Sequence, residues 1–221
     1  MMHSAKTKRS TSDADYRKVG TNGLRVLNLL AEGKNNIKEA GIRRYRKEFK
    51  NSMIRRCSDA DVPTIETIIN QAAFAYKGSI PPDCWHEPYM SRAELLAEIA
   101  AGVQFWGWED SGSLAGVMGI QQVLDATLIR HAYVQPVYQS RGIGGALLKM
   151  LANESNGQLL VGTWTAAEWA IRFYERHGFR LLPTEEKDRL IARYWRISER
   201  QRETSVVLEK PAVSTPQSAI S

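Results

Sequence analysis

Two cysteines, Cys57 and Cys84, are all that the 221 residues contain, and neither stands in a C-x-x-C pair or in a Cys/His cluster at metal spacing. A disulfide framework is excluded, no metal site is expected, and a reducing, cytoplasmic compartment is the expectation. No apolar run reaches about 18 residues, and no apolar segment follows the basic N-terminal residues, so neither a membrane span nor a secretory signal is expected. Two phosphate-binding signatures are also incomplete. The dinucleotide fingerprint lacks its third glycine, where Leu147 stands, and the Gly-Lys-Ser/Thr of the Walker loop is missing.

What is there begins with charge: 30 Lys and Arg against 24 Asp and Glu give a net charge of +6. Of these, 13 basic and five acidic residues lie in 1–52, leaving 17 against 19 in 53–221. The excess is thus confined to the first quarter of the chain. Residues 1–23 are rich in Lys, Ser, Thr, Asp and Gly without periodicity, a composition that cannot offset its ordering entropy. A weak helical pattern over 24–50 ends in Arg43, Arg44, Arg46, Lys47 and Lys50. Such a run could touch nucleic acid or an acidic membrane, yet zinc-finger spacing and RNP aromatics are missing. Residues 1–52 are therefore read as a basic, flexible extension, or as residues upstream of a start at Met53. Nucleic acid and membrane are not expected as partners. Residues 211–221 have tail composition.

From Met53 the pattern becomes orderly. A short strand over 54–57 precedes a helix over about 59–75, opened by a capping box of Ser58 and Asp61. The loop Tyr76 to Met90 holds three prolines with Trp85 and Tyr89, and Ser91 with Glu94 caps a helix over 91–101. Strands over 103–108 and 114–122 are joined by Glu109-Asp110-Ser111-Gly112-Ser113, which is hairpin chemistry, and a third strand covers 127–134. A glycine-rich turn leads into an apolar helix over 146–152, followed by a strand over 159–163. A helix of period near 3.6 (Ala166, Trp169, Ala170, Phe173, Tyr174) ends at His177-Gly178. Phe179–Leu182, a charged helix over 185–196 and a β-like stretch over 204–208 complete a mixed α/β domain over 53–210. The stretch 204–208, taken as an edge strand, could pair across a homodimer.

The turn Gln139-Ser140-Arg141-Gly142-Ile143-Gly144-Gly145 is the most informative feature. Glycines at a strand-to-helix turn remove side chains, so consecutive N–H groups can point at an anion where the helix dipole favours negative charge. A pyrophosphate suits it.

These residues resemble the acetyl-CoA motif of the GNAT superfamily of N-acetyltransferases. In that motif a strand ending Val-x-Pro (here Val134-Gln135-Pro136) precedes Gln/Arg-x-x-Gly-x-Gly/Ala (here Gln139 to Gly144). About 30 residues on, Phe173-Tyr174-Glu175-Arg176-His177-Gly178-Phe179 resembles the family's second motif. The resemblance implies a twisted mixed sheet, mostly antiparallel and flanked by helices, with acetyl-CoA as co-substrate. The acceptor would be an amine of a small molecule or a protein side chain. It implies that the backbone of Gln139, Ser140, Arg141, Gly142, Ile143, Gly144 and Gly145 holds the pyrophosphate. Ala132 and Val134 would pair with the pantetheine arm, an amide near Val134 would face the developing oxyanion, and Tyr174 would protonate the departing thiolate.

Two positions depart from the family pattern. Where many members carry a general-base Glu, six residues before the motif Val, this chain has Leu128, and where many carry an Asn it has Ala167. The base must come from elsewhere. Strand alternation sets His131 opposite Ala132 and Val134, which suits a core or supporting histidine. The loop Pro81 to Tyr89 offers Asp83, His86 and Glu87 beside an apolar wall, and Glu87 is the base expected. The missing Glu leaves a second reading, a module that senses acyl-CoA without turnover. A third, working through the basic arm, is a nucleic-acid-associated protein.

Overall fold

The computed structural model describes residues 52–155 and 157–211. The chain divides into two units, Met1–Arg55 and Arg56–Ser221. The extension expected over 1–52 and the tail expected over 211–221 lie, but for Ser52 and Pro211, outside the described residues. A strand, β1 (Ser52–Arg56), runs up to the boundary, and the second unit is described by itself.

In that unit the expected capping box forms: the Ser58 amide donates to Asp61 Oδ2 at 2.7 Å. After a short turn the chain enters α1 (Val62–Ala73), with Pro63 in the first turn where its missing N–H costs nothing. Val62, Ile65, Ile68, Ile69 and Ala72, three or four residues apart, give α1 one buried face. The second capping box opens α2 (Arg92–Ala100): Ser91 donates through its amide and hydroxyl to Glu94 Oε2.

The strands β2 (Gln104–Asp110) and β3 (Ser113–Val123) form a hairpin around Ser111 and Gly112, both at positive φ. That is the turn whose twist matches paired strands. β4 (Ala126–Val134) leads through the glycine turn to α3 (Ile143–Glu154) and β5 (Gln158–Trp164). Then follow α4 (Glu168–Arg176), β6 (Arg180–Leu181), α5 (Thr184–Tyr194), α6 (Glu199–Glu203) and β7 (Ser205–Lys210). The sheet order is β2-β3-β4-β5-β7-β6, antiparallel throughout except for the parallel pair β4 and β5. This is the mixed, mostly antiparallel sheet expected.

Two details correct the sequence reading. Helix α6 was not expected, although Ser198 and Gln201 form a capping box at its start. And β7 is not an edge strand: it lies between β5 and β6, with β6 paired to Leu208 and Glu209.

Two apolar clusters among the described residues bear on the site. One joins α1, α2, β2 and β3 through Ile65, Ile69, Leu95, Phe105 and Val117. The other joins β4, β5, α5 and β7 through Leu128, Leu160, Leu190, Ile191 and Val207. Among the described residues no helix is long and apolar enough to cross a membrane.

Candidate active site

The site originates in an incomplete strand pair. The β4–β5 ladder runs from Ala126 with Gln158 to Ile129 with Val161 and stops. Both strands continue, β4 to Val134 and β5 to Trp164, while β7 takes the other edge of β5 as far as Trp164. The facing edges of 130–134 and 162–164 therefore carry no ladder between them, and unpaired strand edges offer N–H and C=O groups to any amide-bearing ligand. A cleft of about 210 Å³ opens there.

At one end of the splay lies the glycine turn. Ser140 and Gly142 both have positive φ, 61° and 83°, and a Cβ on Gly142 would meet nothing within 4 Å. The glycine is thus required by backbone conformation rather than by crowding. The first intrahelical bond of α3 is Ala146 N–H to the Gly142 carbonyl at 3.0 Å, which leaves the amides of Ile143, Gly144 and Gly145 without helical acceptors. The Gln139 side chain donates to the Val134 carbonyl at 3.1 Å, folding the turn back onto the end of β4. Arg141 donates to the Val137 carbonyl at 3.0 Å and lies over the Tyr138 ring, which holds a positive charge beside the open amides.

The second sequence motif packs directly on this turn. A Cβ at Gly144 would lie 3.5 Å from Phe173 Cζ, and one at Gly145 only 2.6 Å from His177 Nε2. Gly145 is therefore a packing glycine, giving room to a histidine whose Nδ1 is 2.7 Å from the Phe173 carbonyl. Tyr174, on the same helix, is buried. Burial, with Tyr76 close by, pushes its phenol well above the usual range, so it stays protonated at any working pH.

The other end of the cleft is aromatic. Tyr76 and Tyr89 stack at 5.9 Å, Trp169 lies 5.4 Å from Tyr76 and Trp85 5.4 Å from Tyr89. Trp164, at the end of β5, donates its indole N–H to the Tyr89 hydroxyl at 3.2 Å. Burial, with Tyr89 nearby, pushes Tyr76 up to about 12, and burial raises Tyr89 and Tyr133 as well. The phenols are neutral hydroxyls, able to donate and accept but carrying no charge to an incoming amine.

Below this cluster β4 is irregular. Met118 of β3 faces both His131 and Ala132, a β-bulge, and His131 has a φ of 50°. Arg130 Nη2 and His131 Nε2 both reach Glu98 Oε2 on α2, at 2.6 and 3.3 Å. Arg130 Nη1 also donates to Gln121 at 2.9 Å. Burial raises the Glu98 carboxyl, but the hydrogen bond from His131 and the charge of Arg130 outweigh it and hold the group below its usual range. In a regular strand Arg130 and His131 would point to opposite faces; the bulge lets both meet one carboxylate.

The residues expected from the sequence divide accordingly. Val134 and the turn 139–145 lie together at the end of β4, joined by the Gln139 bond to the Val134 carbonyl, and α4, which carries Tyr174, packs on Gly144 and Gly145. Ala132 stands further back on β4, in the bulge opposite Met118, and none of these residues is among those that line the cleft itself. Glu87 is not brought there. It is exposed, its Oε1 accepts from Lys77 at 2.5 Å and from Trp85 at 3.3 Å, and these bonds lower its pKa. Asp83 likewise faces outward and pairs with Arg200 at 3.1 Å. Leu128 is sealed in the second apolar cluster, and its neighbour Ile129 lines the cleft. Tyr76, Tyr133, Glu98 and Arg130 stand in no motif of the sequence. The one local signal available is the place of Tyr133, one residue before the motif valine.

Residues 101–181 match the family model described as acetyltransferase (GNAT) domain. Over these residues the chain is similar to GNAT acetyltransferases. The matched segment contains the β4–β5 splay, the glycine turn and α4. Among the proteins the chain is similar to, the peptidyl-lysine N-acetyltransferase YiaC of Escherichia coli (strain K12) is 25% identical over 148 residues, covering 66% of this chain and 95% of the relative. In fold the chain is similar to the PaiA N-acetyltransferase of Thermoplasma acidophilum in complex with coenzyme A, with TM-score 0.56 and 19% identity, over 73% of this chain and 99% of that one. It is also similar to the ribosomal-protein-S18-alanine N-acetyltransferase of Escherichia coli, with TM-score 0.55 and 20% identity, over 76% and 97% of the two chains.

Proposed function

We propose that this N-acetyltransferase moves the acetyl group of acetyl-CoA to a primary amine, with a lysine side chain as the first acceptor class to test. The observation that carries the reading is the splay between β4 and β5, which has open amides at one end and neutral hydroxyls at the other. The relative named for peptidyl-lysine acetylation supports the acceptor class, and a neighbour holding coenzyme A supports the co-substrate. The working domain is 53–210.

The donor's diphosphate would rest on the amides of Ser140 to Gly145, with Arg141 adding charge. The backbone of Ala132 and Val134 would pair with the amides of its arm, and the thioester supplies the electrophilic carbonyl. The chain's own groups do the rest. A strand amide near Val134 donates to the oxygen that gains charge. Tyr174 donates to the sulfur that leaves, and with its raised pKa it acts through placement rather than acidity. The Lys77–Glu87 pair holds the acceptor loop.

Calorimetry with acetyl-CoA, followed by thiol release over a panel of primary amines that includes lysine peptides, tests this. Binding with turnover is expected; failure to bind overturns it. A second reading, an acyl-CoA sensor, is favoured by the apolar Leu128 and Ile129 at the point on β4 where a carboxylate would serve. Tight binding with no turnover on any amine would decide for it.

A further inference from the structure

We propose that His131, oriented by Glu98, is the base that takes the proton from the acceptor amine. The assignment deepens the transferase reading and rests on it. Its first support is position: His131 and Arg130 line the cleft together with Tyr76, Tyr89, Tyr133 and Thr163. The second is backbone. A non-glycine residue at positive φ is uncommon, although histidine is among those that tolerate it, and at His131 the left-handed backbone lies in the bulge that sets the ring over Phe105, with centroids 5.8 Å apart.

The third support is the tautomer. An ionised carboxylate can only accept, so the Nε2 facing Glu98 at 3.3 Å carries the hydrogen. The lone pair of the neutral ring is then on Nδ1, which makes no hydrogen bond among the described residues. A carboxylate behind the ring also stabilises the imidazolium that forms. The charged groups facing the ring are Glu98 from α2 and Arg130 from its own strand; β2 contributes only Phe105. Arg130 shares the Glu98 oxygen and keeps that carboxylate ionised.

Protons and bonds balance. The acceptor ammonium gives a proton to Nδ1, and the ring releases it to solvent through the cleft. The neutral nitrogen forms the C–N bond as the C–S bond breaks. Tyr174 gives its proton to the sulfur and regains one from the new amide nitrogen. His131 is thus a catalytic residue and Glu98 a positioning residue.

Two variants test the assignment. His131→Asn keeps a residue that tolerates left-handed backbone. It should lower kcat by about 100-fold, with the acetyl-CoA Kd from calorimetry within about twofold of wild type. Glu98→Gln removes the partner that favours the charged ring. The pH profile of kcat/KM should change in Glu98→Gln while the acetyl-CoA Kd stays within about twofold, and Glu98→Asp, which keeps a carboxylate, should restore part of the wild-type profile. The amine's own ionisation cannot produce that difference, because neither variant alters the acceptor. The assignment is overturned if His131→Asn retains kcat within about threefold, or if Glu98→Gln leaves the pH profile of kcat/KM unchanged. Wild-type protein that releases no thiol with any of a lysine peptide, a polyamine and an aromatic monoamine overturns the transferase reading and this assignment with it. Wild-type activity therefore separates the two failures.

Discussion

The two ends of the β4–β5 cleft are built by different means. The end proposed for the donor is backbone: twelve consecutive residues, Val134 to Gly145, present amides and a left-handed glycine, and the side chains that matter are those that are missing. The end proposed for the acceptor is side chain: Tyr76, Tyr89, Arg130, His131, Tyr133 and Trp164, with Glu98 behind them, come from a loop, two strands and a helix. A backbone site works through a contiguous pattern and tolerates many sequences around it. A side-chain site can change its chemistry one residue at a time.

The sharpest way to break the contrast is to place a carboxylate at Leu128, the position where the resemblance would put one. Leu128→Glu would put a charge at a position with 0% exposure among Leu160, Leu182, Leu190 and Val207. An unpaired buried charge costs about 3–5 kcal/mol, so the variant should lose more than 10 °C of thermal stability or fail to fold. A stable, more active variant would show that Leu128 faces the cleft after all.

Tyr174→Phe probes the residue that links the ends. Loss of the hydroxyl should lower kcat by about 10²–10³-fold, the range of a positioned proton donor, while the acetyl-CoA Kd stays within about twofold. Unchanged kcat would remove Tyr174 from the chemistry and leave it as packing between Phe173 and Phe179. The donor end should answer oppositely. Gly142→Ala forces an L-residue to hold φ near +83°, a cost of about 1–2 kcal/mol, and because the space is open the loss falls on the turn. A Kd about ten times weaker is expected, with kcat at saturation preserved.

The same contrast explains what the sequence disclosed. Both motifs and their separation are local patterns, and the packing of Phe173 and His177 on Gly144 and Gly145 shows why they travel together. The element order was equally legible, because capping boxes at Ser58 and Ser91 and the Ser111-Gly112 turn are short-range chemistry. What stayed hidden is long-range. Nothing near His131 announces a left-handed backbone at a non-glycine residue, and the bulge that brings Arg130 and His131 to Glu98 depends on a helix 32 and 33 residues away. The aromatic cluster also arises only when the loop Tyr76 to Met90 and α4 converge. The apolar wall expected of that loop comes from Trp85 and Tyr89, but its carboxylates turn outward.

Acid separates the two ends further. The Glu98 carboxyl is held below its usual value near 4.5 in the folded protein by His131 and Arg130. A lowered folded pKa contributes stability that is present above the unfolded value and lost as pH falls through the folded one. Unfolding followed against pH should therefore show a loss below about pH 4.5 that is smaller in Glu98→Gln than in wild type. The effect is modest because Glu98 is part-exposed, and Glu94, Asp125 and Asp188, also lowered, add to the wild-type loss.

Glu87→Gln should do least. A carboxylate that is half exposed, tied to Lys77 and lowered in pKa is a weaker base than a free one, and exposed ion pairs contribute little to stability. The amide keeps an acceptor for Lys77 and for the Trp85 indole, so the loop and its aromatic stack stay in place. We expect kcat and KM within about twofold of wild type over the whole pH range. A fall of tenfold or more, with the low-pH limb abolished, would bring the proton chemistry out of the cleft and into the loop, and would make the acceptor end as local in sequence as the donor end.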